Sequence, residues 1–174
     1  DSVKDHKGRI ISVHGGAGRR DPSTRSIRGE ILAQHSDIVI VTDCGQYNTT
    51  MQMYLSTANH LVIEANHDEQ LLLNGPYPTY LKERILSPKG HQSNVTCGEL
   101  IAKAWNPNLR NVFLCHLSHE NNQPEVALNT IKDILLDSGI MPGEDVFVTP
   151  LDRLKPSPLY ILNDQVIKQS TVNS

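Results

Sequence analysis

The chain has 174 residues, 38% hydrophobic and 20% charged, which is the size and balance of one globular domain rather than of a disordered tail. Its 16 Lys and Arg stand against 19 Asp and Glu, and a formal net charge of -3 argues against a general electrostatic footprint for nucleic acid. No apolar run approaches membrane-spanning length, and Cys44, Cys97 and Cys115 have no zinc-finger spacing, so no membrane association and a reduced, cytoplasmic setting are expected. The chain starts at Asp1 rather than Met and is expected to lack its natural beginning; "DSVKDHKGRI" does not read as a signal peptide.

Residues 1–35 read as an irregular, glycine-rich and basic segment, with "VHGGAGRRDPSTR" as loop. From Asp37 three short apolar runs read as buried strands: "DIVIVTDCG", "HLVIEANHD" and "NVFLCHLSHENN". Helices are expected between them. "NTTMQMYLSTA" has Asn48 as its cap, "PYPTYLKERIL" opens at Pro78, and "SNVTCGELIAKAW" starts at Ser93 or Asn94 with Pro107 blocking its continuation. "NNQPEVALNTIKDILLDSG" carries Asn122 or Gln123 near its cap, Pro124 in its first turn and Gly139 at its end. The run Leu71-Leu72-Leu73 reads as core, "DVFVTP" and "SPLYIL" as late strands, and residues 164–174 as a tail. Strands alternating with helices give an α/β domain over residues 36–163.

The three strands share one property. Each ends in a residue able to do chemistry: Asp43, Glu64 and His116. In α/β sheets ligands bind beyond the carboxyl ends of strands, so parallel neighbours would bring the three to one cleft. Asp43 offers a charged oxygen and His116 a neutral nitrogen, a donor pair suited to zinc, manganese or iron. A divalent metal there lowers the pKa of a water molecule and makes a nucleophile available near neutral pH. Glu64 can orient a histidine that protonates a leaving group, and His91 in "KGHQSN" is the candidate. The helix start beside it, at Ser93 and Asn94, offers backbone N–H groups to a phosphate. Asn66 and His67, next to Glu64, are also assigned to substrate contact. Each residue alone has an ordinary reading. Asp43 caps a turn, His116 is a satisfied core histidine, Glu64 pairs with Arg84 or Lys82, His91 sits in a loop, and His67 with Asp68 starts a helix. The set of three strand ends is what favours a site.

"IVIVTDCG", "LVIEANHDEQLLLNGPYPTYLKERILSPKGHQSN" and "VFLCHLSHENNQPEVAL" resemble the C-terminal half of metallo-β-lactamase-fold hydrolases, in the bacterial YycJ-like group of phosphodiesterases and exonucleases. The resemblance runs from about Asp37 to Leu162. It implies an αββα sandwich with two divalent metal ions, zinc or manganese, at one edge. Asp43 resembles the family's metal-bridging aspartate and His116 its last histidine ligand. Glu64 and His91 resemble the pair with which the related tRNA-processing endonucleases protonate a leaving group. The implied substrate is nucleic acid or a small phosphodiester. The defining H-x-H-x-D-H motif is absent: Asp5-His6 stands alone, with Asp1 and Val3 where histidines are needed. His14 is the candidate for the histidine that precedes Asp43 in the family. The sandwich is therefore expected to be incomplete at its N-terminal half, and an exposed sheet face to favour homo-oligomers.

Three hypotheses follow. The first is a metal-dependent phosphodiesterase, nuclease-like. The second is a non-catalytic half-sandwich acting in binding or assembly, motivated by the missing motif. The third rests on "VHGGAG", which resembles the start of plant-type asparaginases; no Gly-Thr pair supplies the nucleophile those enzymes need. The basic stretch "GRRDPSTRSIR" either tracks a phosphate backbone, through Arg19 and Arg20, or is a solvated loop.

Overall fold

A computed structural model describes residues 11–15, 37–160 and 162, with the backbone alone at 11–15 and at residue 50. Five strands lie side by side in chain order: β1 (Ile11–Gly15), β2 (Ile38–Thr42), β3 (His60–Glu64), β4 (Asn111–Cys115) and β5 (Phe147–Pro150). Every neighbouring pair is parallel. β2, β3 and β4 are the three runs read as buried strands, and β5 is the expected "DVFVTP". β1 lies inside the stretch expected to be irregular. Its Val13 pairs with Ile40 and its His14 with Val41, so a partner strand organises a sequence whose glycines alone suggest loop. "SPLYIL" forms no strand among the described residues; Tyr160 lays its ring on Phe113, centroids 4.7 Å apart. The calls on Arg19, Arg20, the remainder of "VHGGAG" and the tail lie outside the described residues.

Helix α1 (Thr49–Leu55) joins β2 to β3 and is capped by Asn48, whose side chain accepts from Met51 N. Between β3 and β4 come α2 (Glu69–Asn74), α3 (Thr79–Leu86) and α4 (Asn94–Ala104). Asp68 caps α2 through Leu71 N, Pro78 opens α3, and the Ser93 hydroxyl caps α4 through Thr96 N. Helix α5 (Pro124–Asp137) starts with Pro124 in its first turn and is followed by Gly139 at φ +75°, the left-handed conformation that glycine tolerates. Of the leucine run, only Leu72 is core; Leu71 and Leu73 are 36% and 52% exposed, because three successive helical residues cannot all face one side.

Crossovers of one hand between sequential parallel strands keep the helices on one face of the sheet. Here α1 packs on α4, and α4 on α5. Val39, Val41, Leu61, Ile63, Val112 and Leu114, alternate positions on three strands, form the core with Ile101, Ile131 and Leu135 from those helices. Burying such a side chain contributes roughly 1.5–3 kcal/mol each. On the opposite side of the sheet Ile38, Ile40 and Val62 remain half-buried. All carboxyl ends meet along one edge, which is where the chemistry-bearing residues lie.

Candidate metal centre

Asp43 and His116 occupy equivalent places, each the first residue after its strand. Both take a left-handed backbone, φ 55° and 56°. That conformation is unusual for residues with a side chain and occurs where the surroundings enforce it. The enforcement is visible at His116: its carbonyl accepts from Asn66 Nδ2 at 2.8 Å, and Ala65 N donates to the Cys115 carbonyl at 3.1 Å. On the other loop Gln92 Nε2 donates to the Cys44 carbonyl.

Glu64 is the floor of the site, with no exposed side-chain surface, while Asp43, His91 and His116 are 58%, 31% and 41% exposed. One Glu64 oxygen, Oε1, lies 2.6 Å from His91 Nδ1 and 2.9 Å from His116 Nδ1. The other, Oε2, accepts from Cys44 N at 3.1 Å. A buried carboxylate needs such partners. Neither Lys82 nor Arg84 supplies them: Lys82 Nζ donates instead to the Leu73 carbonyl, and no ion pair among the described residues involves Arg84. Asp43 Oδ1 approaches the two Nδ1 atoms at 3.8 and 3.5 Å. The two imidazoles meet edge to face, centroids 5.0 Å apart at 80°. With Nδ1 carrying its proton, each ring donates to Glu64 and keeps Nε2 as its free lone pair, the arrangement by which a carboxylate fixes the tautomer of a histidine ligand.

One ligand atom from each of Asp43, Glu64, His91 and His116 lies within 4.8 Å of the others. Two oxygens and two nitrogens suit a divalent zinc or manganese ion, so the donor set fits the metal that the resemblance implies. Burial first, and then the charge of Glu64, push Cys115 up to about 11, and burial raises Cys44 and Cys97 as well, so all three stay protonated near neutrality.

Two glycines lock the site's loops together. A Cβ on Gly45 would stand 2.6 Å from Gly90 N and 2.7 Å from the Ser87 carbonyl oxygen, so the chain after Asp43 touches the turn that carries His91. That turn is itself tied to α3 by Gly90 N to the Ser87 carbonyl, 2.8 Å, and His91 N to the Ile85 carbonyl, 2.9 Å.

Of the four residues expected to touch substrate, Asn66 alone lines the cleft beside His91 and His116. Ser93 and Asn94 spend their side chains internally: Ser93 caps α4, and Asn94 exchanges two bonds with Asn122, at 3.0 and 2.8 Å. His67 is buried and both its ring nitrogens lack partners among the described residues; burial pulls it down to about 4, so it stays neutral. The side chain of His14 lies outside the described residues, although its backbone pairs on β1. Reading the sequence missed the joint hold of Glu64 on two histidines, and missed Gln92 and Asn122 as loop clamps; buried amides close to strand ends were the available signal.

No family model and no solved structure matches the chain. It is 31% identical over 122 residues to "Exodeoxyribonuclease YycJ" of Bacillus anthracis, covering 70% of this chain and 46% of that protein. It is 36% identical over 127 residues to "Exodeoxyribonuclease WalJ" of Streptococcus pneumoniae, strains D39 and R6, covering 72% of this chain and 47% of theirs. The chain thus spans about half the length of the curated relatives it matches. One sheet with one helix layer corresponds to part of an αββα sandwich. Over that half, the chain is homologous to the YycJ/WalJ proteins, which are metallo-β-lactamase-fold proteins.

Proposed function

We propose that the chain carries one part of the active edge of a metal-dependent hydrolase of phosphodiester bonds, nuclease-like, acting on DNA. The observation that carries this reading is the convergence of Asp43, Glu64, His91 and His116 within 4.8 Å at the carboxyl edge of a parallel sheet. The names of the relatives, exodeoxyribonucleases, support the substrate class. Asp43 and His116 would hold a divalent ion, zinc or manganese. When bound, that ion supplies Lewis acidity and lowers the pKa of a water molecule. Glu64 keeps both rings in one tautomer. His91, held by Glu64 through Nδ1–H, takes up a solvent proton at Nε2 and passes it to the departing oxygen, and Asn66 contacts substrate in the cleft. A second ion needs donors beyond Asp43 and His116, and His14 is the candidate carried over from the resemblance. His67, Ser93 and Asn94 we assign to the framework.

Among the described residues no helix is long and apolar enough to cross a membrane. Three free thiols favour a reduced compartment, the cytoplasm. The half-buried sheet face opposite the helices favours self-association of this chain.

The test is metal uptake and hydrolysis together. The purified chain is expected to bind zinc or manganese by calorimetry and, so loaded, to shorten linear DNA, with Asp43→Ala and His116→Ala losing both. A chain that takes up neither metal overturns the reading. The second reading, a non-catalytic half-sandwich, draws on the missing H-x-H-x-D-H motif and the half-length match. Two equivalents of tightly held metal per chain reject it; no metal uptake and no hydrolysis of DNA or of a small phosphodiester favour it.

A further inference from the structure

Beside His91 and His116 the surface opens into a hollow of about 670 Å³. That is within the size of a small-ligand site, roughly 300–1,000 Å³. Its charge runs against that of the chain. A protein of net charge -3 lines this one hollow with Arg84, Lys89 and Arg153 as well as the two site histidines. The single carboxylate in the lining, Asp152, is already engaged. It accepts from Leu154 N at 2.8 Å and Lys155 N at 3.0 Å, and these bonds hold it well ionised and build the turn that presents Arg153. No ion pair among the described residues uses Arg84, Lys89 or Arg153.

The three cations come from separate parts of the fold. Arg84 lies in the last turn of α3, Lys89 in the tight turn before His91, and Arg153 just past the end of β5. An arginine in the last turn of a helix is ordinary. Three exposed cations on one hollow that ends at the site histidines need a further reason. One phosphodiester carries a single negative charge, so three cations exceed what one scissile group requires. Tyr77, held between Pro76 and Pro78 and half-buried, adds an aromatic ring to the same wall. Cations along a groove with an aromatic platform are what a single strand of nucleic acid needs: charge for successive phosphates and a face for a base.

We propose that Arg84, Lys89 and Arg153 form a phosphate track, with Tyr77 as a stacking platform, that holds a single-stranded nucleic acid leading into the site. The inference rests on the proposed hydrolase reading for its direction. It favours a strand over a small cyclic phosphodiester.

The test is fluorescence anisotropy of the full chain with a fluorescein-labelled ten-residue oligothymidylate whose phosphorothioate backbone resists cleavage. Affinity is expected to rise as salt falls from 300 to 50 mM. The variant Arg84→Gln/Lys89→Gln/Arg153→Gln loses at least tenfold at the low salt. Its log–log salt slope becomes shallower by about 2, at roughly 0.7 per phosphate contact on a single strand. Each single substitution gives about a third of that change, which covers the case of a triple variant that does not fold. Lys103→Gln, on the outer side of α4, changes neither quantity. Tyr77→Leu weakens oligothymidylate about fivefold and an abasic strand not at all. A chain that does not bind the strand at 50 mM salt overturns the proposal, as does a slope that the single and triple variants leave at the wild-type value. If neither zinc nor manganese is taken up while the slope change stands, the hydrolase reading falls and the track remains; metal-dependent DNA hydrolysis with an unaltered slope gives the reverse.

Discussion

The two ends of each strand's surroundings are built by different rules. The helix-covered face of the sheet is apolar and repetitive: alternate residues of β2, β3 and β4 meet Ile101, Ile131 and Leu135 with no polar group to satisfy. The carboxyl edge is dense with buried polar groups, Glu64, Asn66, His67, Gln92, Asn94, Asn121 and Asn122, and carries two side chains in left-handed backbone. The face stabilises by area, and almost any well-packed apolar set would serve. The edge is specified bond by bond, because each buried donor or acceptor left without a partner costs about 1–3 kcal/mol.

Substitutions can separate the two regimes. The largest loss is expected at the face. Leu114→Ala removes a fully buried side chain and should lower unfolding free energy by about 2–5 kcal/mol, read by urea titration, while metal affinity per folded chain is unchanged. At the edge Glu64→Gln should behave in the opposite way. Its amide cannot accept from both imidazoles and from Cys44 N as a carboxylate does, so zinc affinity should fall about 10–100-fold in calorimetry with a smaller change in stability. Asn122→Ala strips the partner from buried Asn94 and from the Ala65 carbonyl, and about 1–3 kcal/mol of stability should go with it; a loss equal to that of an exposed site would show that water replaces the pair.

His67 gives the edge a pH signature. Its folded value, about 4, lies below the ordinary 6.5, so the unfolded chain takes up the proton first. Stability from this group is full above about pH 6.5, declines as pH falls through the window, and is lost near pH 4. The full loss is roughly 3 kcal/mol. His67→Asn should flatten that part of the profile in urea titrations at pH 7, 5.5 and 4.5; equal slopes in both proteins would exclude His67 as the source. The smallest effect is Ser93→Ala, about 1 kcal/mol from the lost cap of α4, with no change in metal binding.

Much of the face was legible from the sequence because it is periodic. β-branched runs gave β2, β3 and β4, and the caps Asn48 and Ser93 marked helix starts that the structure bears out. The convergence of Asp43, Glu64 and His116 followed from a single assumption, parallel neighbours, which the strand pairing satisfies. What escaped was whatever depends on a distant partner. β1 needs β2 to become a strand, and Leu159 and Tyr160 turn to other contacts or to solvent when no edge receives them. The pairing of Glu64 with His91 was expected and is present, but the same carboxylate oxygen also reaches His116 across 52 residues of chain, a second hold that no local pattern encodes. Ser93 and Asn94 were read as phosphate contacts through the backbone N–H groups of a helix start; inside the fold Asn94 N donates to the His67 carbonyl and Thr96 N to the Ser93 hydroxyl.

The contact of Gly45 with Gly90 makes the two loops a single mechanical part. A methyl group at position 45 would act as a wedge against Gly90 N and the Ser87 carbonyl, prising the His91 turn off the carboxylate loop while leaving the side chains of Asp43 and His91 unaltered. The site's reach between Asp43 and His91 is therefore set by two hydrogen atoms where side chains would otherwise stand.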